Sequence, residues 1–154
     1  MASKNFRGSL EAVQPLALRR PNPPSRMASH DLNRPRFLFV EADPRALAAL
    51  RRLVRELPGP QLFADCARQA CALVKERAPR VVVSGYGLPD GDGLALLECV
   101  RARDPRTACA LHTAQPPARL RESRGIAWMD RAAPPRQVLA LLDALAADGP
   151  SGST

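Results

Sequence analysis

The sequence predicts an α/β protein in which a doubly wound, five-stranded parallel sheet lies between two layers of helices. Three observations support this architecture. From Phe37 onward, short apolar runs alternate with stretches whose apolar residues recur every three or four positions. Strands that are separated by helices need crossover connections, which give parallel pairing with helices on both faces. The chain has 154 residues, of which 45% are apolar, and this is enough for one such domain.

Five short segments have the composition of strands. Phe37–Val40 is wholly apolar, as expected for a strand covered on both faces of the sheet. Arg80–Ser84 contains three valines, whose β-branched side chains suit a pleated sheet. The remaining strands are expected at Leu62–Phe63, Ala108–His112 and Ile126–Met129.

Five helices are expected around these strands. Asp43 and Asp65 are the predicted N-caps of the first two, while Pro44 and Pro135 fit the first turns of the first and the last. The third follows a turn-rich loop over Gly85–Gly93, and the fourth is a short, strongly charged helix over Pro116–Ser123. The predicted inward-facing residues are Leu47, Leu50, Val54 and Leu57, then Ala67, Ala70, Cys71 and Val74, then Leu94, Leu97 and Val100, and finally Val138, Leu141, Leu142 and Leu145.

The predicted domain occupies residues 36–148 and is preceded by a different kind of sequence. Residues 1–35 are rich in proline and basic side chains and show no sustained apolar period, which predicts a flexible basic arm. Such an arm suits nucleic acid, anionic lipid or an acidic partner, although a solvated tail without a specific role is the favoured interpretation. Met27 offers an alternative start, because Met27-Ala28-Ser29 repeats the first three residues. Residues 149–154 are predicted to be a disordered tail.

Composition excludes several classes of protein. The net charge of +8 comes from 23 basic and 15 acidic side chains. Almost all of the basic residues are arginine, which indicates a biased base composition of the coding sequence rather than a protein specialised for binding phosphate groups. No apolar run is long enough to span a membrane, and no secretory leader is recognisable. The four cysteines form no C-x-x-C pair, which argues against a zinc site and predicts buried thiols in a reducing, cytoplasmic compartment.

In a parallel sheet of this kind the functional crevice lies beyond the carboxyl ends of the strands, here residues 41–43, 84–87, 112–114 and 129–131. The sequence around these ends, Val-Glu-Ala-Asp-Pro from Val40 and Gly-Leu-Pro-Asp-Gly-Asp-Gly-Leu from Gly87, resembles the receiver (CheY-like) domain of two-component response regulators. The resemblance covers roughly residues 36–147 and implies the flavodoxin-like fold. It also implies an aspartate that accepts a phosphoryl group from a histidine kinase, and a bound magnesium ion.

The residues at the matching positions lack this chemistry. The acceptor position is Gly85, which has no side chain to carry a phosphoryl group. The acidic pair that holds magnesium corresponds to Glu41 and Ala42, and Asp43 falls one residue too late. Because magnesium requires oxygen ligands in near-octahedral geometry, we expect no metal and no other cofactor.

Other positions keep the pattern. Thr113 matches the family's hydroxyl, and Trp128 and Arg131 have the spacing of its switch aromatic and its lysine, so that Arg131 replaces the lysine. Trp128 is equally well explained as a packing residue at the end of a strand. For Thr113, a hydroxyl satisfied by local backbone is the favoured interpretation, because no phosphate is expected.

The sequence disfavours four alternative sites. Asp90 or Asp92 as a substitute phosphoacceptor is disfavoured, because Pro-Asp-Gly is turn chemistry and Asp92 suits a helix cap. Asp90-Gly91-Asp92-Gly93 lacks the remaining ligands of a calcium loop, and the glycines do not form a dinucleotide-binding motif. A hydrolase using Ser84 and His112 lacks the glycines of a nucleophile elbow and an orienting acid.

The sequence therefore predicts an atypical response regulator, a pseudo-receiver without catalytic activity that works by binding a signalling protein independently of phosphorylation. The expected contact face contains Trp128 and a set of charged residues, Arg119, Arg121, Glu122 and Arg124. The alternatives are a nucleic-acid-associated regulator that uses the basic arm and a receiver phosphorylated at a non-standard acid. The sequence specifies neither the partner nor the oligomeric state.

Overall fold

The computed structural model describes residues 35–148, and the predicted arm and tail lie outside that range. Five strands form one sheet in the order β2-β1-β3-β4-β5, and every neighbouring pair is parallel. The strands are β1 (Phe37–Val40), β2 (Gln61–Ala64), β3 (Val81–Gly85), β4 (Ala108–Thr113) and β5 (Ile126–Asp130). The predicted α/β fold class is therefore confirmed.

Helices cover both faces of the sheet. They are α1 (Pro44–Leu53), extended by a 3₁₀ turn at Val54–Glu56, then α2 (Ala67–Arg77), α3 (Gly93–Arg103) and α4 (Pro135–Asp148). Gly87–Leu88 and Gly91–Asp92 pair as a small antiparallel hairpin between β3 and α3. No helix in the described range is both long and apolar enough to cross a bilayer.

Alternation along the strands produces two separate cores. In β1, Phe37 and Phe39 pack on one side of the sheet and Leu38 and Val40 on the other, because successive strand residues point to opposite faces. The first core is closed by α1 and α4, and the second by α2, α3 and the buried Leu120.

Two of the predicted helix caps are present and one was wrong. Asp43 accepts a hydrogen bond from the Arg45 amide (3.0 Å), and Asp92 accepts one from the Ala95 amide (2.7 Å). Asp65 caps nothing: its own amide donates to the side chain of Gln69.

The first turn of α2 is instead capped by Asp90, from the hairpin after β3. Its two carboxylate oxygens accept hydrogen bonds from the amides of Ala67 (2.8 Å) and Arg68 (2.9 Å). These two bonds lower the pKa of Asp90 below its usual value, because they stabilise the charged form. Local sequence patterns do not predict this cap, because Asp90 lies 23 residues after Ala67, from whose amide it accepts a hydrogen bond.

The predicted fourth helix at Pro116–Ser123 is only a 3₁₀ turn, Ala118–Glu122. Its bonds run from the Leu120 amide to the Pro117 carbonyl and from the Ser123 amide to the Leu120 carbonyl. The segment offers only Leu120 to the core, so packing stabilises a single turn rather than a longer helix. The edge strand β5 is consequently thinly covered, and Trp128 is 41% exposed.

The four cysteines are all unpaired thiols in very different surroundings. Cys109 is buried, and desolvation raises its pKa to about 12. Cys66 and Cys71 are half-buried, whereas Cys99 is exposed. The prediction of buried thiols is therefore right for Cys109 and wrong for Cys99.

Gly93, at the start of α3, is required by a close approach of the helix to β3. Its amide donates to the Tyr86 carbonyl (2.6 Å), and a Cβ atom at this position would lie 1.8 Å from the Gly85 carbonyl oxygen. We expect Gly93→Ala to lower the free energy of unfolding by about 2–3 kcal/mol or more, since α3 must move to relieve the overlap.

Gly87→Ala is the matched control for this experiment. A Cβ atom at Gly87 meets nothing within 4 Å, so the variant should unfold within about 0.5 kcal/mol of wild type in urea titrations. Equal destabilisation of both variants would show that the close approach at Gly93 is not the cause.

Candidate functional site

The carboxyl edge of the sheet brings together the residues that the sequence analysis selected. The strand register places Gly85 beside His112, and His112 beside Met129. On the other side of Gly85, Glu41 directly follows the residue that pairs with Ser84. The side chains of Glu41 and His112 therefore lie on one face of the sheet, the face covered by α1 and α4, and a side chain at position 85 would point to the same face.

An ion pair crosses this edge. The Arg131 Nη2 atom donates to the Glu41 Oε1 atom over 2.7 Å, and the second oxygen of Glu41 accepts from the Asp43 amide (3.1 Å). The Glu41 side chain is only 5% exposed, whereas that of Arg131 is 37% exposed. A carboxylate so deeply buried needs such partners, because an unpaired buried charge is costly.

The ion pair occupies the space in front of Gly85. A Cβ atom built at Gly85 would lie 3.0 Å from Glu41 Oε1 and 3.4 Å from Arg131 Nη2. In this chain, therefore, a guanidinium and a carboxylate fill the volume next to the end of β3.

The residues around Gly85 do not fit a magnesium ion. Glu41 is engaged by Arg131, Ala42 has no ligand atom, and the Asp43 carboxylate caps α1. Among the described residues, no three acidic, histidine or cysteine side chains are placed to hold a metal. A hard divalent cation here would be left with one committed carboxylate and backbone oxygens, which is too few oxygen ligands.

Thr113 is tied to its neighbours. Its hydroxyl donates to the Gln115 carbonyl (3.3 Å), and its carbonyl accepts from the Trp128 Nε1 atom (2.9 Å) and from the Arg131 amide (3.2 Å). The Thr113 hydroxyl thus has a local backbone partner. The bond from Trp128 fixes the indole across the carboxyl end of β4, so that the ring itself remains exposed.

The arginines of the predicted contact face differ in their surroundings. Arg119 lies 3.7 Å from an Asp92 carboxylate oxygen and 3.8 Å from a Glu98 carboxylate oxygen, so it is directed toward α3. All three side chains are about half exposed, and such pairs contribute little to stability. Arg121 and Arg124 are exposed on and after the 3₁₀ turn.

His112 is a pocket residue that the sequence analysis considered only as a hydrolase base. It is 8% exposed, and its Nδ1 atom has no hydrogen-bond partner among the described residues. Burial, and then the positive charge of Arg131, lower the pKa of His112 below the ordinary value of 6.5, whereas Glu41 and Asp130 act in the opposite direction. Its position at the end of a predicted strand placed His112 at the crevice, but the sequence did not predict its burial or its unpartnered Nδ1 atom.

Ser84 and His112 do not form a catalytic pair. Gly85, not Ser84, is the register partner of His112, so the Ser84 side chain lies on the opposite face of the sheet. The Ser84 hydroxyl donates to the Gly85 carbonyl (2.8 Å). This geometry removes the basis for the hydrolase alternative.

The state of His112 predicts a pH dependence of stability. Because its pKa is lower in the folded protein than in the unfolded chain, the unfolded chain binds more protons below about pH 6.5. This contribution to stability is complete above that pH and is lost as the pH falls. We expect the wild-type free energy of unfolding to decrease between pH 7.5 and pH 5.5, and His112→Leu to reduce that decrease.

The measurement is urea unfolding at several pH values for both proteins. His30→Leu, which removes the other histidine, serves as the control and should retain the wild-type slope. A His112→Leu slope equal to that of wild type would contradict the prediction.

Comparisons with known proteins agree with this geometry at the level of structure. No family model matches the chain, and no curated protein matches its sequence. The solved structures that match include the signal receiver domain of an HD domain-containing protein from Pseudomonas fluorescens Pf-5. The TM-score is 0.68 at 28% identity, over 75% of this chain and 88% of that one.

Two further solved structures match at lower sequence identity. A LuxR-family two-component response regulator from Aurantimonas sp. SI85-9A1 matches with a TM-score of 0.65 at 22% identity, covering 74% of this chain and 86% of that one. The chemotaxis response regulator CheY4 of Vibrio cholerae matches with a TM-score of 0.64 at 16% identity, covering 73% and 98%. The sheet order, the parallel register and these likenesses together show that the described residues adopt the CheY-like, flavodoxin-like fold of response-regulator receiver domains.

Proposed function

We propose that this receiver domain takes part in two-component signalling without accepting a phosphoryl group, as a pseudo-receiver that binds a protein partner. The observation that carries the proposal is Gly85, at the end of β3, with the Glu41–Arg131 ion pair in the space before it. Glycine offers no nucleophile, and the nearest charged groups already neutralise each other.

Neither neighbouring aspartate is available as a substitute acceptor. Asp90 binds two amides at the start of α2, and Asp92 binds one at the start of α3. Each carboxylate is therefore already engaged by backbone amides at the start of a helix. Both residues therefore have a structural role that explains their presence.

The absence of an acceptor changes how the domain is switched. A ligand shifts a two-state equilibrium only by its difference in affinity for the two states. With Arg131 held by Glu41, the loop after β5 is fixed to the loop after β1 without any added group. We infer that the domain rests in one state and that a protein partner supplies any further bias.

The surface around β5 suits such a partner. Trp128 exposes a large aromatic ring whose Nε1 atom is already bonded, so the ring can be covered without leaving an unsatisfied donor. Arg119 and Arg121, in the segment between β4 and β5, are exposed charged groups for the same partner, whereas Arg124 precedes β5 at the opposite edge of the sheet. Exposed tryptophan and arginine together are typical of residues that dominate protein interfaces.

We infer no catalytic activity and no cofactor for this domain, and a cytoplasmic location. The pocket offers neither a free nucleophile nor a paired general base. The four unpaired thiols, all within the described residues, suit a reducing compartment.

The proposal predicts that the protein does not form an acyl phosphate. Incubation with a small-molecule phosphodonor and magnesium should leave the intact mass unchanged, because no carboxylate stands at the end of β3. A stoichiometric, hydroxylamine-sensitive adduct would contradict it, and peptide mapping would then identify the acid.

Restoring the missing carboxylates tests the same claim from the other side. We expect the double variant Ala42→Asp with Gly85→Asp to bind Mg²⁺ in calorimetric titrations at least ten times more tightly than wild type, since three acidic side chains would then share the pocket. Arg131 has room to turn outward, because its side chain is already 37% exposed.

The control variant combines Ala42→Asp with Gly87→Asp, which adds the same charge at a position where a Cβ atom meets nothing within 4 Å. It should bind Mg²⁺ no better than wild type. Equal gains in both variants would show that added negative charge anywhere in the loops, and not a carboxylate at the end of β3, decides the Mg²⁺ affinity.

A further inference from the structure

The basic residues of the domain are collected at the amino edge of the sheet, opposite the pocket. Because each crossover helix runs antiparallel to the strands, α1, α2 and α3 all end where the next strands begin. The segments at this edge are residues 35–36, 51–60, 75–80, 101–107 and 123–125. They carry eleven basic side chains and three acidic ones. The basic set, here called the basic edge, is Arg36, Arg51, Arg52, Arg55, Lys75, Arg77, Arg80, Arg101, Arg103, Arg106 and Arg124.

The carboxyl edge has no such excess. Residues 41–45, 65–68, 86–92, 113–119 and 130–136 carry five basic and six acidic side chains. A general preference for arginine in the coding sequence does not explain this difference, because it would enrich both edges alike. The charge of the described domain is therefore separated in space.

Helix energetics explain only part of the separation. Cations near a helix C-terminus are stabilised by the helix dipole, and the last turns of α1, α2 and α3 carry six of them. The dipole does not account for Arg36, Arg80 and Arg124, which lie in loops that lead into strands. Concentrating like charges in loops costs electrostatic free energy unless an anion lies close to them.

Several of these arginines are not engaged within the domain. Arg52, Arg55 and Arg77 are exposed and form no salt bridge with a described residue. Arg106 does pair with Asp104 over 3.3 Å, but its side chain is 80% exposed. The guanidinium groups of these four arginines are thus accessible to an external anion.

We propose that the basic edge binds the phosphate backbone of duplex nucleic acid, a function separate from partner binding at β5. Ten of its eleven cations are arginines, whose planar fork of donors matches phosphate oxygens. The five strands lie about 4.8 Å apart, so the edge is roughly 20 Å wide and spans several phosphates of a duplex.

The basic edge has no large hydrophobic side chain that is exposed among the described residues, and this favours a duplex over other polyanions. The large hydrophobic residues exposed in the described range are Tyr86 and Trp128, and neither belongs to the basic edge. Single strands are held chiefly by stacking on aromatic rings, and membrane surfaces by insertion of apolar groups. A duplex needs only the phosphate contacts, which give binding without sequence preference.

The test compares two triple variants of the full chain by fluorescence anisotropy with a labelled duplex of about 20 base pairs, at two salt concentrations. The first is Arg52→Gln, Arg55→Gln and Arg77→Gln at the basic edge. The second, matched in charge, is Arg45→Gln, Arg68→Gln and Arg136→Gln, three exposed residues at the carboxyl edge that form no salt bridge with a described residue. Circular dichroism checks that both variants remain folded.

We expect wild type to bind the duplex with an affinity that falls steeply with salt. The first variant should bind at least tenfold more weakly with a salt slope smaller by about 2–3, since each lost phosphate contact removes about 0.9 from it. The second should stay within twofold of wild type. The proposal is overturned if both variants lose the same affinity, if neither does, if wild type binds no duplex, or if it binds vesicles containing phosphatidylserine instead.

Discussion

The pocket depends on the ion pair between Glu41 and Arg131. Glu41 lies at the end of β1 among apolar strands, where an ionised carboxylate is stable only with hydrogen-bonding partners. Arg131 supplies the charge and the Asp43 amide the second hydrogen bond. Gly85 leaves space for the pair, because a Cβ atom there would lie 3.0 Å from Glu41 Oε1 and 3.4 Å from Arg131 Nη2.

The same pair also acts on its neighbours, although burial is the main cause of the lowered pKa of His112 and Glu41 opposes it. His112 stands beside Gly85 in the sheet, and the arginine reinforces the effect of burial on its pKa. The Arg131 amide also donates to the Thr113 carbonyl, which at the same time accepts from Trp128. The exposed indole is therefore linked through one carbonyl to the loop that holds the pocket closed. A partner that moves the indole acts on this loop directly.

The domain keeps its two edges chemically distinct. At the carboxyl edge, several acidic side chains cap helices or pair with arginine, and basic and acidic residues nearly balance. At the amino edge, helix ends and loops leave an excess of arginine. The topology makes this separation possible, because in a parallel sheet all strand ends of one kind lie together. A partner at β5 and an anion at the basic edge therefore need not compete for the same surface.

The sequence by itself determined the sheet and most helices, because apolar runs and β-branched residues act locally. It likewise determined the caps formed by Asp43 and Asp92, whose partners lie within three residues. Only the tertiary structure placed Asp90 at α2, reduced the fourth helix to a single turn and joined Glu41 to Arg131. These features bring together groups separated by up to 90 residues, or depend on how much packing surface a segment finds. No local pattern encodes such contacts, because they exist only once the strands have aligned.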